Sequence, residues 1–262
     1  MRTISAIAAL MFVACSCLAF KPGSTGYSAT WLSVLKAGVA APTDYLHFWN
    51  PASLDETDQG PGGNDADSIS FNPDAVNGWN MGTDNADYVR LDGPITNGTS
   101  YTITAWIKPD ITAMNFNQVG GSIVNDRAAG VSTRDFQLFY GSPLTYGSEL
   151  YRATIFNSAG TIESDNNTNF TDNVWQHVAL VVNSDAGTIE VFVDGVSDGS
   201  NALTITPNDS YAGNAAIGGY SPDPSLADFK YHGSIGKVRF YQRALTQSEI
   251  QAEIDADGGT GP

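Results

Sequence analysis

A chain of 262 residues with 11% aromatic and 15% charged side chains is long and apolar enough for one large packed domain, which excludes an intrinsically disordered polymer. Twelve Lys and Arg against 28 Asp and Glu leave a formal charge of −16. Such a surface repels phosphate backbones and anionic lipid, so nucleic acid and membrane surfaces are not expected partners.

Residues 1–19 carry one positive charge, an apolar stretch from Ile4 to Val13 and small residues near Ala14 and Ala19. This is the pattern of a secretory signal peptide, too short for a stable membrane span. Phe12-Val13-Ala14-Cys15 is a poor lipobox, so simple secretion is expected ahead of lipid anchoring at the cell surface. Cleavage after Ala19 would remove Arg2, Cys15 and Cys17, taking the charge from −16 to −17 and leaving no thiol and no disulfide. A domain this large needs none. Residues 20–43 read as a spacer, where Trp31, Leu32, Val34 and Leu35 fit either a short helix ending near Gly38 or a loosely packed linker.

Residues 45–50 predict the first strand, and residues 55–67 follow as a polar turn rich in oxygen ligands. Ile69 and Phe71 restart a strand, and Asn77-Gly78 marks a turn. Further strands are predicted over 86–91, 101–108, 122–125, 136–140, 151–157 and 161–163, separated by Gly, Asn and Asp turns. Residues 175–182 form an apolar run broken only by Gln176 and His177, which suits a strand covered on both faces. Ser184-Asp185-Ala186-Gly187 supplies a turn in which Gly187 is free to take a positive φ. Ile189, Val191 and Val193 then alternate with Glu190 and Asp194, and Asp194-Gly195 ends the strand in a second tight turn. At the C-terminus, Thr246 and Glu249 form a capping box and Leu245 with Ile250 a hydrophobic staple. Ile250 and Ile254 share a helix face, and Asp257-Gly258-Gly259 stops the helix. Residues 258–262 read as a flexible tail.

The W-x-H-V-A-x-V hairpin ending in V-D-G resembles the laminin-G-like branch of the concanavalin A-like lectin/glucanase superfamily. Two other blocks agree in order. Tyr88-Val89-Arg90-Leu91 with residues 101–109 resembles that family's early core strands. Residues 216–219 with 232–241 and 244–250 resemble its last strand and helix. The resemblance covers about 44–256 and implies an all-β jelly-roll sandwich of two antiparallel sheets with one short C-terminal helix, over 44–257. This fold carries enzymes, lectins and spacers alike, so function has to be read from residues.

Those residues argue against catalysis. A retaining glycosidase needs two carboxylates about 5–5.5 Å apart, and the glucanase motif E-x-D-x-x-E is absent. The nearest approach, starting at Glu163, ends in Thr168. His47, His177 and His232 are the only histidines; His177 sits in the hairpin motif and reads as structural, and His232 has no convincing catalytic companion. There is no G-x-S-x-G elbow, phosphate loop or dinucleotide fingerprint.

A metal is expected instead. Ca²⁺ takes six to eight oxygens from irregular loops, and residues 55–67 offer four aspartates, Glu56 and Asn64. The resemblance implies a structural Ca²⁺ between this loop and a backbone carbonyl near Gly233. Asp58 of the D-x-G turn is the first expected ligand, with Asn50, Asp55 and Asn64 behind it. A glycan would stack on exposed aromatics and be bracketed by polar groups, for which Tyr140, Tyr146, Tyr151, Tyr220 and Arg134 are candidates. The expected function is a secreted or surface-attached, non-catalytic recognition module for a glycan or an extracellular protein. A structural surface or virion protein that mediates assembly is the alternative, and a hydrolase or lyase with an unfamiliar site ranks third.

Overall fold

The structure is a computed structural model. It describes residues 39–262 apart from 54–55, 70–75, 82–87, 92–94, 96–97, 111–119, 128–133, 142–150, 158–159, 165–166, 208–213, 220–229, 260 and 262. The expected leader and most of the spacer, including its short helix, lie outside the described residues. Those described belong to one unit, Val39–Pro262.

The strands are β1 (His47–Trp49), β2 (Ala66–Ile69), β3 (Trp79–Met81), β4 (Tyr88–Leu91), β5 (Tyr101–Pro109), β6 (Gly120–Arg127), β7 (Arg134–Gly141), β8 (Tyr151–Asn157), β9 (Gly160–Glu163), β10 (Gln176–Asn183), β11 (Thr188–Val193), β12 (Val196–Ala202), β13 (Asn214–Ile217) and β14 (Gly233–Tyr241). Among the described residues a 3-10 turn, Pro51–Ser53, follows β1, and a helix, α1 (Gln247–Ala256), follows β14. Sheet I runs β1-β14-β5-β10-β11-β12 with β3 also on β14, and sheet II runs β2-β4-β13-β6-β7-β8-β9. All described pairings are antiparallel. The two sheets enclose a core that includes Trp49, Trp79, Tyr101, Ile103, Phe136, Leu138, Tyr151, Leu180, Val191 and Phe240. The expected jelly-roll sandwich with a C-terminal helix is the fold observed. No described helix is long and apolar enough to cross a membrane.

The β10–β11 hairpin forms as its sequence dictates. Ile189, Val191 and Val193 are buried against the core. Gly187 has φ 66°, and Asp194 and Gly195 have φ 48° and 77°, the paired positive values that match a tight hairpin turn to strand twist. Asp194 is an L residue in this region, and its Oδ1 accepts the His177 N–H at 2.8 Å. Two strands, β3 and β12, were not expected from the sequence.

α1 begins as predicted: Thr246 is the N-cap, its Oγ1 accepts the Glu249 N–H at 3.3 Å, and the Glu249 carboxylate accepts the Thr246 N–H at 2.8 Å. Leu245, Ile250 and Ile254 pack with Trp106, Ala179, Val181, Phe192 and Tyr241 on the outer face of sheet I. This explains the burial of β5 from Tyr101 to Ile107 and of β10 from Gln176 to Val182, whose alternate residues face the core and the helix.

Candidate functional site

Each sheet has an outer face, and the two are built from different chemistry. On sheet I, three adjacent strands each send polar side chains toward α1 beside the apolar ones that pack on it. Glu253 Oε1 accepts from Thr104 Oγ1 at 2.6 Å, Arg239 Nη1 at 3.0 Å and His177 Nε2 at 3.2 Å, and its Oε2 accepts from the Tyr241 hydroxyl at 2.5 Å. One turn later, Asp257 takes the Trp106 indole N–H at 2.9 Å, a bidentate fork from Arg239 at 2.8 Å on each oxygen, and Lys237 at 3.1 Å. Burial works to raise the pKa of both carboxyls, but these donors and cations outweigh it. Glu253 is held below the usual carboxylate range and Asp257 is lowered to about 2. Burial and the Glu253 charge push the Tyr241 hydroxyl the other way, upward. The cluster clamps the helix to the sheet, and His177 is structural, as its place in the hairpin motif suggests.

The outer face of sheet II carries no described helix or strand. Register brings one line of outward residues across it: Arg90 beside Ala216, Ala216 beside Asn125, Asn125 beside Gln137, Gln137 beside Thr154 and Thr154 beside Glu163. At about 4.8 Å per strand this row is roughly 24 Å long. Its ends reach solvent through Arg90 and Glu163, whereas Asn125, Gln137 and Thr154 are only 1%, 2% and 1% exposed. Ser122, Phe139 and Arg152 lie in the adjacent line. A face meant only for solvent would be open, and the covered face beneath α1 sets its polar side chains against the carboxylates of a helix. This one is polar and withdrawn from water.

Its hydrogen bonding is incomplete. The Asn125 amide nitrogen donates to Gly219 O at 2.5 Å and to Ser122 Oγ at 2.9 Å. The Gly219 carbonyl only accepts, so the amide orientation is fixed by chemistry, and Asn125 Oδ1 is left buried with no partner. A stranded buried acceptor costs on the order of 1–3 kcal/mol. Beside it, the buried Lys230 lies 4.7 Å from the centre of the Tyr88 ring. Gly219 makes this packing fit: a Cβ there would come within 2.9 Å of Tyr88.

Of the residues expected to bind sugar, Tyr151 alone has its side chain described. Tyr151 is a correction: it is fully buried in the core, its ring 6.0 Å from Phe170 and its hydroxyl donating to Gln176 Oε1 at 2.6 Å, so no sugar can stack on it. Tyr140 and Arg134 lie in β7 opposite Gly121 and Arg127, described in backbone only. Tyr146 and Tyr220 lie outside the described residues. Asn125, Gln137 and Thr154 were missed. Their only sequence signal is a polar residue at alternate positions of apolar strands, which any half-exposed strand shows.

Of the expected Ca²⁺ ligands, Asp58 and Gly233 lie apart. Asp58 Oδ1 accepts the N–H groups of Phe48 at 2.9 Å and Gly60 at 2.8 Å; Oδ2 accepts that of Asn64 at 2.9 Å and His47 Nδ1 at 2.5 Å. A carboxylate offers about four lone-pair sites, and all of Asp58's face protein donors in a fully buried side chain. Gly233 pairs with Met81 and Pro109, whereas Phe48 pairs with Arg239. The six-residue step from Gly233 to Arg239 separates the two by roughly 17–20 Å, far beyond one coordination sphere. The carbonyl of Asn64 accepts the Trp49 indole N–H at 2.8 Å, Asn50 is partly buried just past β1, and Asp55 lies outside the described residues. The arrangement does not fit an ion shared by Asp58 and Gly233. Among the described residues no group of three His, Cys, Asp or Glu is placed to hold a metal.

A laminin-G family model, described as the concanavalin A-like lectin/glucanases superfamily, matches residues 83–251. A sequence comparison with curated proteins returns no match. Among solved structures, domain 4 of AbnA, a GH43 extracellular arabinanase from Geobacillus stearothermophilus in complex with arabinotriose, is similar at 16% identity with a TM-score of 0.58, covering 79% of this chain and 97% of that one. The native heptameric SAP-like pentraxin from Limulus polyphemus is similar at 16% identity and a TM-score of 0.50, covering 70% and 79%. The binding domain of botulinum neurotoxin serotype D follows at 10% identity and 0.57, covering 82% and 52%. At these identities the likeness is one of fold. With the family model spanning more than half its length, the chain belongs to the laminin-G branch of the concanavalin A-like lectin/glucanase superfamily.

Proposed function

We propose that this chain is an exported, non-catalytic carbohydrate-binding module that takes a neutral saccharide on the outer face of sheet II. The observation that carries the reading is the buried row Asn125–Gln137–Thr154 with its unpartnered Asn125 Oδ1. A sugar meets this face at its solvent-reaching ends, Arg90 and Glu163, and Asn125 Oδ1, closed to solvent in this structure, accepts a sugar hydroxyl once the row is uncovered. The side chains at the centre of the row, Asn125, Gln137 and Thr154, are uncharged, which suits a neutral sugar. The carbohydrate ligand of the arabinanase domain is consistent with this reading. Export rests on the signal-like residues 1–19.

Catalysis is not part of the proposal. Glu163 is bonded to Arg152 at 3.3 Å and its cross-strand neighbour is Thr154, so no second carboxylate stands opposite it. Glu163→Gln is expected to leave any polysaccharide-degrading activity unchanged.

The test is a glycan array probed with the parent and with Asn125→Ala. The parent is expected to bind neutral oligosaccharides, and Asn125→Ala to lose at least tenfold in affinity, about 1.4 kcal/mol, while unfolding cooperatively. A blank array, or equal binding by both proteins, would overturn the assignment.

A further inference from the structure

The loop most suggestive of a cation is organised by a carboxylate whose acceptors are already used, and this has a consequence for how the loop is held. We infer that Asp58 is a metal-free anionic hub that ties residues 58–64 onto β1, doing within the protein the work that a bound divalent ion would do.

The geometry is specific. Asp58 gathers the backbone N–H groups of Phe48 on β1 and of Gly60 and Asn64 on its own loop, and it takes the His47 ring as a fourth donor. Its own N–H donates to Asp65 Oδ1 at 2.9 Å, and Glu56 Oε1 accepts from the Trp79 indole at 3.0 Å. Thus the three carboxylates described in full across this loop are each turned toward N–H donors, the opposite of a cation cage. Backbone bonds seal the wrap: Gln59 N–H to Phe48 O at 2.8 Å and Gly62 N–H to Leu46 O at 2.8 Å. His47 is fixed in turn, stacked 5.4 Å from Trp49 with the rings 6° from parallel. The glycines are spent on proximity. A Cβ on Gly60 would sit 2.3 Å from Leu46 O, and one on Gly62 would sit 2.0 Å from the His47 ring. The D-x-G-x-G pattern therefore encodes a carboxylate reaching back over two close-packed glycines, with no space set aside for an ion between Asp58 and β1.

A cation would have to displace at least two of the four N–H donors from Asp58 and leave them buried without acceptors, which disfavours ordinary Ca²⁺ affinity at this residue. The prediction concerns the full chain stripped of metal and compared in EDTA and in millimolar Ca²⁺, parent against Asp58→Asn. The parent's melting curves are expected to superimpose in the two media, and Asp58→Asn to melt several degrees lower in both. A Ca²⁺-dependent rise in the parent that is retained by Asp58→Asn supports the hub too, because that ion is bound elsewhere. A rise that disappears in Asp58→Asn overturns it. Should Asp58→Asn fail to fold, Tb³⁺ luminescence of the parent, sensitised through Trp49 beside Asn64, decides the matter. Absence of Ca²⁺-displaceable emission, or emission that survives Trp49→Phe, supports the hub, and stoichiometric, Ca²⁺-displaceable emission lost in Trp49→Phe overturns it.

Discussion

The outer faces of the two sheets start from the same strand periodicity and end in opposite states. Beneath α1, sheet I presents Thr104, Trp106, His177, Lys237, Arg239 and Tyr241, and all six donate to Glu253 or Asp257. His177 Nδ1 has no partner there, but it lies beneath the helix with the Trp106 ring 5.2 Å away and edge-on. Sheet II presents Ser122, Asn125, Gln137 and Thr154, neutral groups with a vacant carbonyl acceptor and no described element over them. The contrast separates two uses of buried polarity. Opposite charges saturated by one another fix a helix in place, whereas a neutral row that lacks a donor is arranged to receive one. Closure marks structure here, and incompleteness marks recognition.

Breaking the closed face should have the largest effect. Glu253→Ala would leave Arg239 and His177 buried without their shared partner, at a cost of about 3–5 kcal/mol in urea unfolding. For a domain of this size that is a fall of roughly 6–20 °C in Tm. Glycan binding by the protein that remains folded should be unchanged, because the row on sheet II does not touch α1. Asp257→Asn comes next, with a pH signature. The folded carboxyl titrates at about 2, below the ordinary 3.8, so its contribution is fully present above pH 4 and is lost as pH falls through 2. The stability gap between parent and variant, followed by thermal melts from pH 6 to pH 2, should therefore be wide at neutral pH and close in acid. A gap that is constant with pH would mean that Asp257 is not charged against Arg239.

Smaller changes sharpen the same picture. Thr246→Ala removes the N-cap oxygen of α1 and should cost about 1 kcal/mol. A variant as stable as the parent would mean that the helix contributes little to the closed face. Smallest is Asp44→Ala, which removes an exposed partner of Arg243 at 2.6 Å. Its effect should stay below about 1 kcal/mol and shrink further in salt, against the severalfold larger cost at the buried Glu253.

The fold was readable wherever one local pattern decided it. Ile189, Val191 and Val193 with Asp194-Gly195 specify a hairpin, and Thr246 with Glu249 specifies a helix start. β12 was not readable, because Val-Ser-Asp-Gly-Ser-Asn-Ala is written in turn residues and becomes a strand only through pairing with β11. The candidate site was less legible still. Asn125 and Thr154 are 29 positions apart, and strand register alone sets them in one line. Tyr151 misled for a related reason: it is as suited to a core as to a sugar, and its position in β8 turns it inward. Asp58 shows the same ambiguity in charge. A carboxylate in a glycine-rich turn attracts N–H groups and cations alike, and the fold decides between them by bringing four N–H groups within reach.

The most direct test of the central claim follows the Asn125 side-chain amide by NMR while the array's best neutral oligosaccharide is titrated into the protein. Saturable shifts of the Asn125 amide resonances, together with those of Gln137, and unmoved signals from the Trp106 indole and α1, are the result this account predicts. Saturable binding that leaves Asn125 and Gln137 unshifted while moving resonances on the helix-covered face of sheet I would contradict it.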